Sequence, residues 1–183
     1  MTSENLNKLF SNEPELWHKY HEIAENNEAG FIEHDEIPYK RIIRYLENLK
    51  INRKKYIADL GCGKARVAEY FKDNKLFKFY NYDHISCNNN IKNCDIKNLP
   101  LEDHSINYAI LCLSMWGSNC KEYIAEAYRI LEDNGILLII EPTKRWMSED
   151  GTNKLINLIQ ENKLNIKKQH NCDKFIFLEC AKF

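Results

Sequence analysis

The sequence has few of the features that mark cross-linked, metal-binding or membrane-spanning proteins. Its seven cysteines are an odd number and form no C-x-x-C pair, which argues for a reducing compartment and against a disulfide framework or a zinc site. No apolar run approaches the roughly 20 residues that span a bilayer, and the first residues lack the basic and apolar regions of a secretory signal. We therefore expect a soluble chain without a metal and without membrane contact.

An excess of charge of one sign is also lacking. The chain has 26 Lys and Arg against 27 Asp and Glu, a formal net charge of −1, so the overall charge gives no signal for nucleic acid. No internal repeat is found. With 183 residues, of which 44% are hydrophobic and 29% charged, the chain is typical of one globular domain.

The rest of the chain is organised around residues 55–68, which read as an apolar strand, a tight glycine turn and the start of a helix. Gly61 and Gly63 allow a sharp turn and a close ligand, and the helix would add free N–H groups and a positive dipole end. A dinucleotide fingerprint needs Gly or Ala where Arg66 stands, so a nicotinamide oxidoreductase fits poorly. Asp59, two positions before the first glycine, favours another ligand, and a turn without a ligand is the alternative.

Acidic residues follow the next two apolar segments. Asp83 ends a predicted strand 22 residues after Gly61, the position from which a carboxylate can accept both ribose hydroxyls. Asp95 follows a short strand-like piece and could accept from the exocyclic amine of an adenine. The alternative for Asp83 is an aspartate that only starts a turn.

The apolar periodicity predicts an alternation of helices and strands. Predicted helices cover residues 1–30, 38–49, 65–72, 121–131 and 152–163, and a loop is predicted at 26–38. One predicted strand precedes the glycine turn, and others cover 77–82, 91–96, 107–114, 136–140 and 175–181. A further strand is predicted to start at 165–168, and a turn is predicted at 133–135. In the first helix Leu16, Tyr20, Ile23 and Ala24 are expected to face inward, with Trp17 at the edge of that face. The pattern predicts an α/β, Rossmann-like, doubly wound sheet with a terminal antiparallel hairpin. We expect a helical segment, 1–50, packed on a core, 51–183, as one domain.

Several stretches carry a resemblance to known proteins. The glycine turn resembles motif I of class I S-adenosylmethionine (SAM) methyltransferases. Further stretches extend the resemblance to the ribosomal RNA-processing protein 8 (nucleomethylin-like) family: Leu9-Phe10, Glu13-Pro14-Glu15, Tyr20-His21, Ala58 to Gly63 with Arg66 and Ala68, Tyr82-Asp83, Cys94-Asp95, Pro100 to Asp103, Cys112-Leu113-Ser114, Gly117-Ser118-Asn119, Glu126-Ala127 and Arg129-Ile130-Leu131. The resemblance spans nearly the whole chain, and the stretch around Cys112 is its most specific part.

The resemblance implies a SAM-dependent enzyme that methylates N1 of an adenine in large-subunit ribosomal RNA, in the nucleolus of the nucleus. It places cofactor contacts at positions matching His21, Gly61, Asp83, Asp95, Ile96 and Cys112, to which the glycine turn adds Asp59 and Gly63. The chain departs from the family pattern in a few places. Ile23-Ala24 replaces a Gly-Phe pair, Ile96 replaces a methionine, and Asp133-Asn134-Gly135 replaces a Pro-Gly-Gly turn.

Candidates for contact with the methyl acceptor follow the fourth and fifth strands. Trp116 is a candidate stacking platform, Ser114 and Asn119 are candidates for hydrogen bonds to the edge of the base, and Arg145 for a phosphate contact. Ordinary packing is the alternative for Trp116, and a solvated surface position is the favoured interpretation of Arg145 taken alone. Because N1 of neutral adenine has a free lone pair, no catalytic base is assigned.

Two other functions stay open at this stage. One is a SAM-binding protein without transferase activity, acting as a scaffold among the proteins of a chromatin or ribosome-assembly complex. The other is a methyltransferase for a small molecule or a protein, which the near-neutral charge and the absence of a long basic N-terminal stretch would favour.

Overall fold

The computed structural model describes residues 1–28, 30, 37–148, 153–172 and 174–183. Parts of the predicted loop 26–38 and the first residue of the predicted helix 152–163 therefore lie outside the described residues. The helices are α1 (Ser3–Asn12), α2 (Pro14–Glu28), α3 (Pro38–Glu47), α4 (Arg66–Tyr70), α5 (Cys120–Ile130), α6 (Thr143–Trp146) and α7 (Lys154–Glu161). The strands are β1 (Lys55–Leu60), β2 (Phe77–Asp83), β3 (Ile91–Asn93), β4 (Ile106–Cys112), β5 (Leu131–Pro142), β6 (Asn165–Asn171) and β7 (Phe175–Ala181).

Seven strands form one sheet in the order β3-β2-β1-β4-β5-β7-β6. The first five are parallel, whereas β7 runs antiparallel to both β5 and β6, which confirms the predicted sheet and its terminal hairpin. The order 3-2-1-4-5 is that of doubly wound nucleotide-binding sheets. The carboxyl ends of β1 to β5 consequently meet along one edge, called here the carboxyl edge.

Helices cover both faces of the sheet. On one face α3 and α4 pack on the sheet, and Ile42, Ile43 and Leu46 of α3 are buried there together with Ile57 of β1. On the other face the apolar sides of α5 and α7 bury the strands β1, β4, β5 and β7. Continuous apolar strands such as β4 are expected where a parallel sheet is covered on both sides. This core holds the carboxyl edge in place.

Several predicted boundaries were wrong. The helix after the glycine turn is only the five residues of α4, so its dipole is weaker than expected. The predicted strand 91–96 ends at Asn93, and the predicted strand 107–114 ends at Cys112. The predicted turn at 133–135 lies inside β5. There Asn134 adopts a φ of +64°, and its backbone N–H donates a hydrogen bond to the backbone oxygen of Lys182, just after β7. In the amino-acid sequence, an irregularity inside a paired strand has the same residue pattern as a turn.

The N-terminal prediction was right for Tyr20 and Ala24 of α2, which are partly buried, and wrong for the three residues Leu16, Trp17 and Ile23. Trp17 is buried at 2% exposure, whereas Leu16 and Ile23 are 40% and 51% exposed. The break at Glu13 also divides the predicted single helix into α1 and α2. Within the described ranges no helix combines the length and the apolar character needed to cross a membrane.

Candidate functional site

The glycine turn stands at the carboxyl end of β1, and the protein itself packs closely against it. Gly61 and Gly63 both have positive φ, +73° and +56°. A Cβ on Gly61 would lie 2.4 Å from Cβ of Ser114, and a Cβ on Gly63 would lie 2.7 Å from Cε1 of His21. Only glycine fits at both positions, because both the backbone conformation and the space exclude a side chain.

Asp83 lies at the carboxyl end of β2, beside the turn, and is almost fully buried. One carboxylate oxygen accepts the indole N–H of Trp17 at 2.8 Å, and the other accepts the backbone N–H of Gly63 at 2.8 Å. Burial raises the pKa of Asp83, and these two donors oppose the rise. The backbone N–H of Ile85 also donates to the oxygen that binds Trp17, at 3.4 Å. Since a carboxylate offers about four lone-pair sites, about one remains for a ligand, on the oxygen that binds Gly63.

Asp95 occupies the corresponding position after β3. Its Oδ2 accepts the hydroxyl of Ser3 at 2.9 Å, and its Oδ1 accepts the backbone N–H of Lys97 at 3.2 Å. Ile96, the next residue, is buried and lines the cavity beside Asp83. The predicted ribose and adenine carboxylates therefore lie at adjacent strand ends, and both retain free acceptor capacity.

Helices α1 and α2 together cover the carboxyl edge and are called the N-terminal lid. The lid binds the edge through Ser3 to Asp95 and Trp17 to Asp83, and through an aromatic contact of Phe10 with His84. Its far end is held by Arg66, whose guanidinium donates to Glu28 at 2.6 Å and to Glu25 at 2.7 Å.

His21 lies on the inner face of the lid. Its ring centroid is 4.0 Å from that of Trp17, and its edge lies over Gly63. Burial, reinforced by the charges of Lys64 and Arg66, lowers the pKa of His21 to about 4. The imidazole is therefore neutral at pH 7.

Two cavities meet at His21. The first, of about 180 Å³, lies between the lid and the strand ends β2 and β3, with Asp83, Ile96 and Leu113 in its walls. The second, of about 100 Å³, lies over the glycine turn, with Asp59 and Cys112 in its walls. Tyr20, His21, Gly61 and Leu113 line both cavities. The arrangement offers one elongated binding space with two chemically different halves.

The second cavity carries a buried acid. Asp59 is 3% exposed, and burial together with the charge of Asp83 raises its pKa to about 7. Burial also keeps the pKa of the neighbouring Cys112 thiol well above its usual value, so this thiol is uncharged at pH 7. A cationic ligand group would lower the cost of ionising Asp59.

The four predicted acceptor contacts lie in different environments. Trp116 is 52% exposed beside Tyr20, in an edge-to-face contact with ring centroids 5.0 Å apart. The hydroxyl of Ser114 is buried and has no hydrogen-bond partner among the described residues. Arg145 donates to the backbone oxygen of Trp116 at 3.0 Å and lies over its ring.

Asn119 is fully engaged within the protein. Its Oδ1 accepts from the backbone N–H of Ser3 and the hydroxyl of Tyr123, and its Nδ2 donates to Ser3 and to Glu122. An amide has two acceptor and two donor positions, so none is left for a base. The structure uses Asn119 as an anchor of the lid.

Sequence reasoning missed three residues of the site. Trp17 lies four residues before His21, and this i, i+4 spacing placed both on one helix face. Ser3 and Glu141 gave no such signal, because a serine near a chain start and a glutamate at a strand end are common on surfaces. Only the packing of the lid and of the segment after β4 brings them into the site.

A family model described as hypothetical methyltransferase matches residues 1–183. The chain is 31% identical over 157 residues to the 25S rRNA (adenine(645)-N(1))-methyltransferase of Schizosaccharomyces pombe, covering 81% of this chain and 48% of that protein. It is 35% identical over 185 residues to ribosomal RNA-processing protein 8 of Dictyostelium discoideum, covering 98% and 44%. The chain thus spans about half the length of the curated relatives it matches.

Solved structures share the fold. The 1,6-didemethyltoxoflavin-N1-methyltransferase of Burkholderia thailandensis, solved with 1,6-didemethyltoxoflavin and S-adenosylhomocysteine, superposes with a TM-score of 0.69 at 14% identity, covering 100% of this chain and 90% of that one. A SAM-dependent methyltransferase of Aquifex aeolicus superposes with a TM-score of 0.59 at 12% identity, covering 76% and 88%. At these identities the likeness establishes the fold alone: a class I SAM methyltransferase sheet.

Proposed function

The chain belongs to the ribosomal RNA-processing protein 8 family of methyltransferases, and from this premise we propose that it transfers a methyl group from SAM to N1 of an adenine in large-subunit ribosomal RNA. The observation that carries the proposal is the pair of carboxylates Asp83 and Asp95, which lie at adjacent strand ends with free acceptor capacity.

The first cavity fits the adenosine half of SAM. Asp83 has a free acceptor position for a ribose hydroxyl on the oxygen that binds Gly63, while Trp17, Gly63 and Ile85 hold its carboxylate in place. Asp95 lines neither cavity itself, but it lies between Cys94 and Ile96 of the cavity wall and has acceptor positions for the exocyclic amine of the adenine. The buried side chain of Ile96 offers an apolar surface to the adenine ring.

The second cavity fits the charged half. SAM supplies an electrophilic methyl group on a positively charged sulfur, together with an ammonium group. Asp59 is a buried acceptor for that ammonium, and the close backbone at Gly61 and Gly63 leaves room that a Cβ would fill. His21 lies between the two halves as a neutral ring, so it does not repel a cation.

The acceptor side fits a flat, uncharged base. Trp116 presents an exposed indole on which a base extruded from its helix could stack. The buried hydroxyl of Ser114 has no hydrogen-bond partner in the part of the chain that the structure describes, and the edge of a base would supply one. Because the N1 lone pair is free, orientation in a water-poor site supplies the catalysis, and the chain needs no general base.

The relatives' names support ribosomal RNA as the substrate, and with it a place in nuclear, nucleolar ribosome biogenesis. The proposal assigns cofactor contacts to His21, Asp59, Gly61, Gly63, Asp83, Asp95, Ile96 and Cys112. It treats residues 1–50 as a helical segment packed on the catalytic core, 51–183, within one domain.

The proposal is tested by incubating the protein with methyl-labelled SAM and unmodified large-subunit ribosomal RNA and digesting the RNA to nucleosides. We expect label in 1-methyladenosine. Asp83→Ala should lose this label, because it removes the carboxylate that holds the ribose. Asp73→Ala, at an exposed position remote from the carboxyl edge, is the matched control and should retain it.

Two outcomes would redirect the assignment. Tight SAM binding in a calorimeter without label in any RNA would favour a scaffold within an assembly complex, or a different acceptor. Absence of SAM binding would refute the assignment of the cofactor site itself.

A further inference from the structure

The segment that faces the acceptor is held in an unfavourable backbone shape. Residues 113–117, here the acceptor loop, follow β4 and carry Trp116. Leu113 has a φ of +55°, a left-handed conformation that is strained for a residue with a Cβ. A Cβ on Gly117 would lie 1.9 Å from the hydroxyl of Tyr123. Such a loop keeps its shape only where its surroundings hold it.

Glu141, at the carboxyl end of β5, provides that support from beneath. Its side chain is buried at 2% exposure. Oε1 accepts the backbone N–H of Met115 at 3.0 Å, and Oε2 accepts the indole N–H of Trp146 at 3.3 Å. One carboxylate thus joins the middle of the acceptor loop to the helix α6 that follows β5.

Arg145 completes the support from the outer side. Its guanidinium donates to the backbone oxygen of Trp116 at 3.0 Å and lies 5.7 Å from the Trp116 ring centroid and 5.6 Å from that of Trp146. Glu141, Arg145 and Trp146 together are called the loop bracket. The bracket holds two successive residues of the acceptor loop, Met115 and Trp116, through their backbones.

Burying a carboxylate at this position is unfavourable, and the two hydrogen bonds that Glu141 accepts explain why a carboxylate is found there. Of the groups that face Glu141, Arg145 of α6 is the cation, while Tyr20 of α2, Cys112 of β4 and Cys120 of α5 are neutral at pH 7. A carboxylate accepts two N–H groups with two oxygens, whereas the amide of glutamine would turn an NH₂ toward one of them. Burial raises the pKa of Glu141 to about 7, so the charge is only just maintained.

We propose that Glu141 is a positioning residue for methyl transfer. Through Met115 and the loop bracket it holds the indole of Trp116 in the position in which the acceptor base stacks on it. This inference rests on the proposed function, since it concerns the same acceptor. Glu141 is buried and contacts neither the cofactor nor the base, so its role is confined to binding of the acceptor.

The test compares Glu141→Gln and Trp146→Phe with Glu102→Gln, a matched substitution at an exposed residue. At saturating SAM, we expect both bracket variants to raise KM for the RNA about tenfold, the effect of losing one hydrogen bond to a charged group. The dissociation constant for SAM should change much less than KM, because no bracket residue lines either cavity and the bracket reaches the first cavity only through the acceptor loop. The amide hydrogen of Met115 should exchange faster in Glu141→Gln.

A pH profile separates positioning from mere stability. In the wild type, KM for the RNA should rise as the pH falls below about 7, because the protonated acid loses one acceptor oxygen. In Glu141→Gln this rise should be absent, and Glu102→Gln should keep the wild-type profile.

Two results would overturn the positioning role of Glu141, and a third would overturn the proposed function. An unchanged KM in Glu141→Gln, or a loss of SAM affinity equal to the rise in KM, would overturn the positioning role. A wild type that binds SAM but methylates no RNA would overturn the proposed function. In that case Met115 exchange and acrylamide quenching of Trp116 would still show whether the bracket holds the loop, so the two failures are distinguishable.

Discussion

At the scale of single residues, Asp83 depends on a partner from the N-terminal helix. The indole N–H of Trp17 and the backbone N–H of Gly63 each bind one of its oxygens, and together with the backbone N–H of Ile85 they oppose the rise in its pKa. A carboxylate without such donors would be expensive to keep charged when buried. Trp17 therefore supports the group that is proposed to hold the ribose.

Trp17→Phe should weaken SAM binding about tenfold or more, because it removes one hydrogen bond to a buried charged group while keeping an aromatic ring. Isothermal titration calorimetry measures this directly. Tyr70→Phe is the matched control, since it removes a hydroxyl that donates to the carboxylate of Glu47 on the surface. An unchanged SAM affinity in Trp17→Phe would show that Asp83 needs no orienting donor.

Asp59 should make stability depend on pH in a direction unusual for an acid. Its pKa is raised to about 7 in the fold, so the folded state keeps the proton while the unfolded chain ionises near pH 4. The stability it contributes is full below pH 4 and is lost as the pH rises to 7. Relative to Asp59→Asn, the free energy of unfolding of the wild type should fall across this range and stay level above it.

Urea unfolding of both proteins between pH 4 and 8 checks this expectation. His21, whose pKa is lowered to about 4, acts in the opposite direction, but it is present in both proteins and cancels in the difference. Parallel curves for the two proteins would mean that Asp59 is not the group that titrates.

At the scale of elements, the sequence predicted the strands better than the lid. The apolar runs of β4 and β5, the acidic end of β2 and the acidic residue after β3 are local patterns, so the sheet and the position of Asp83 at its edge followed from them. The burial of Trp17 in α2 did not, because its indole N–H binds a distant carboxylate and the residue is not part of an apolar stripe. Ser3 and Asn119 likewise meet only through tertiary packing.

The far end of the lid should depend on Arg66. Its two ion pairs with Glu25 and Glu28 join α2 to the start of α4, and Arg66→Gln removes both. We expect faster hydrogen exchange in α2 and faster SAM dissociation, with only about 1 kcal/mol or less lost in global stability, because these side chains are partly exposed.

Lys72→Gln provides the comparison for Arg66→Gln, since it breaks a surface ion pair with Glu69 that does not touch the lid. It should leave both the exchange rates of α2 and SAM dissociation unchanged. Equal behaviour of the two variants would contradict a role for Arg66 in holding the lid.

At the scale of the whole molecule, the carboxyl edge collects groups from segments far apart in the chain. The candidate site combines the lid, the turn after β1, the ends of β2 and β3, and the acceptor loop. A ligand in contact with all of them would stabilise the lid and the sheet together, because it binds the folded state only.

Saturating SAM, at about 100 times its dissociation constant, should add about 2.7 kcal/mol to the free energy of unfolding and raise Tm by roughly 5–10 °C. The thermal transition should remain single, as expected if residues 1–50 and 51–183 unfold as one domain. Differential scanning calorimetry checks both points. Two separate transitions would contradict the single-domain prediction, and Asp83→Ala should show little shift.

The position of the lid also has a kinetic consequence. Trp17, Tyr20 and His21 line the binding space from the side of the lid. The strand ends, the acceptor loop and Tyr123 form the other walls of the first cavity, of about 180 Å³. We expect the cofactor to enter, and its spent form to leave, when these two helices move away from the strand ends. The opening rate of two helices then sets a ceiling on turnover, and SAM capture should level off at high SAM concentration instead of rising in proportion to it.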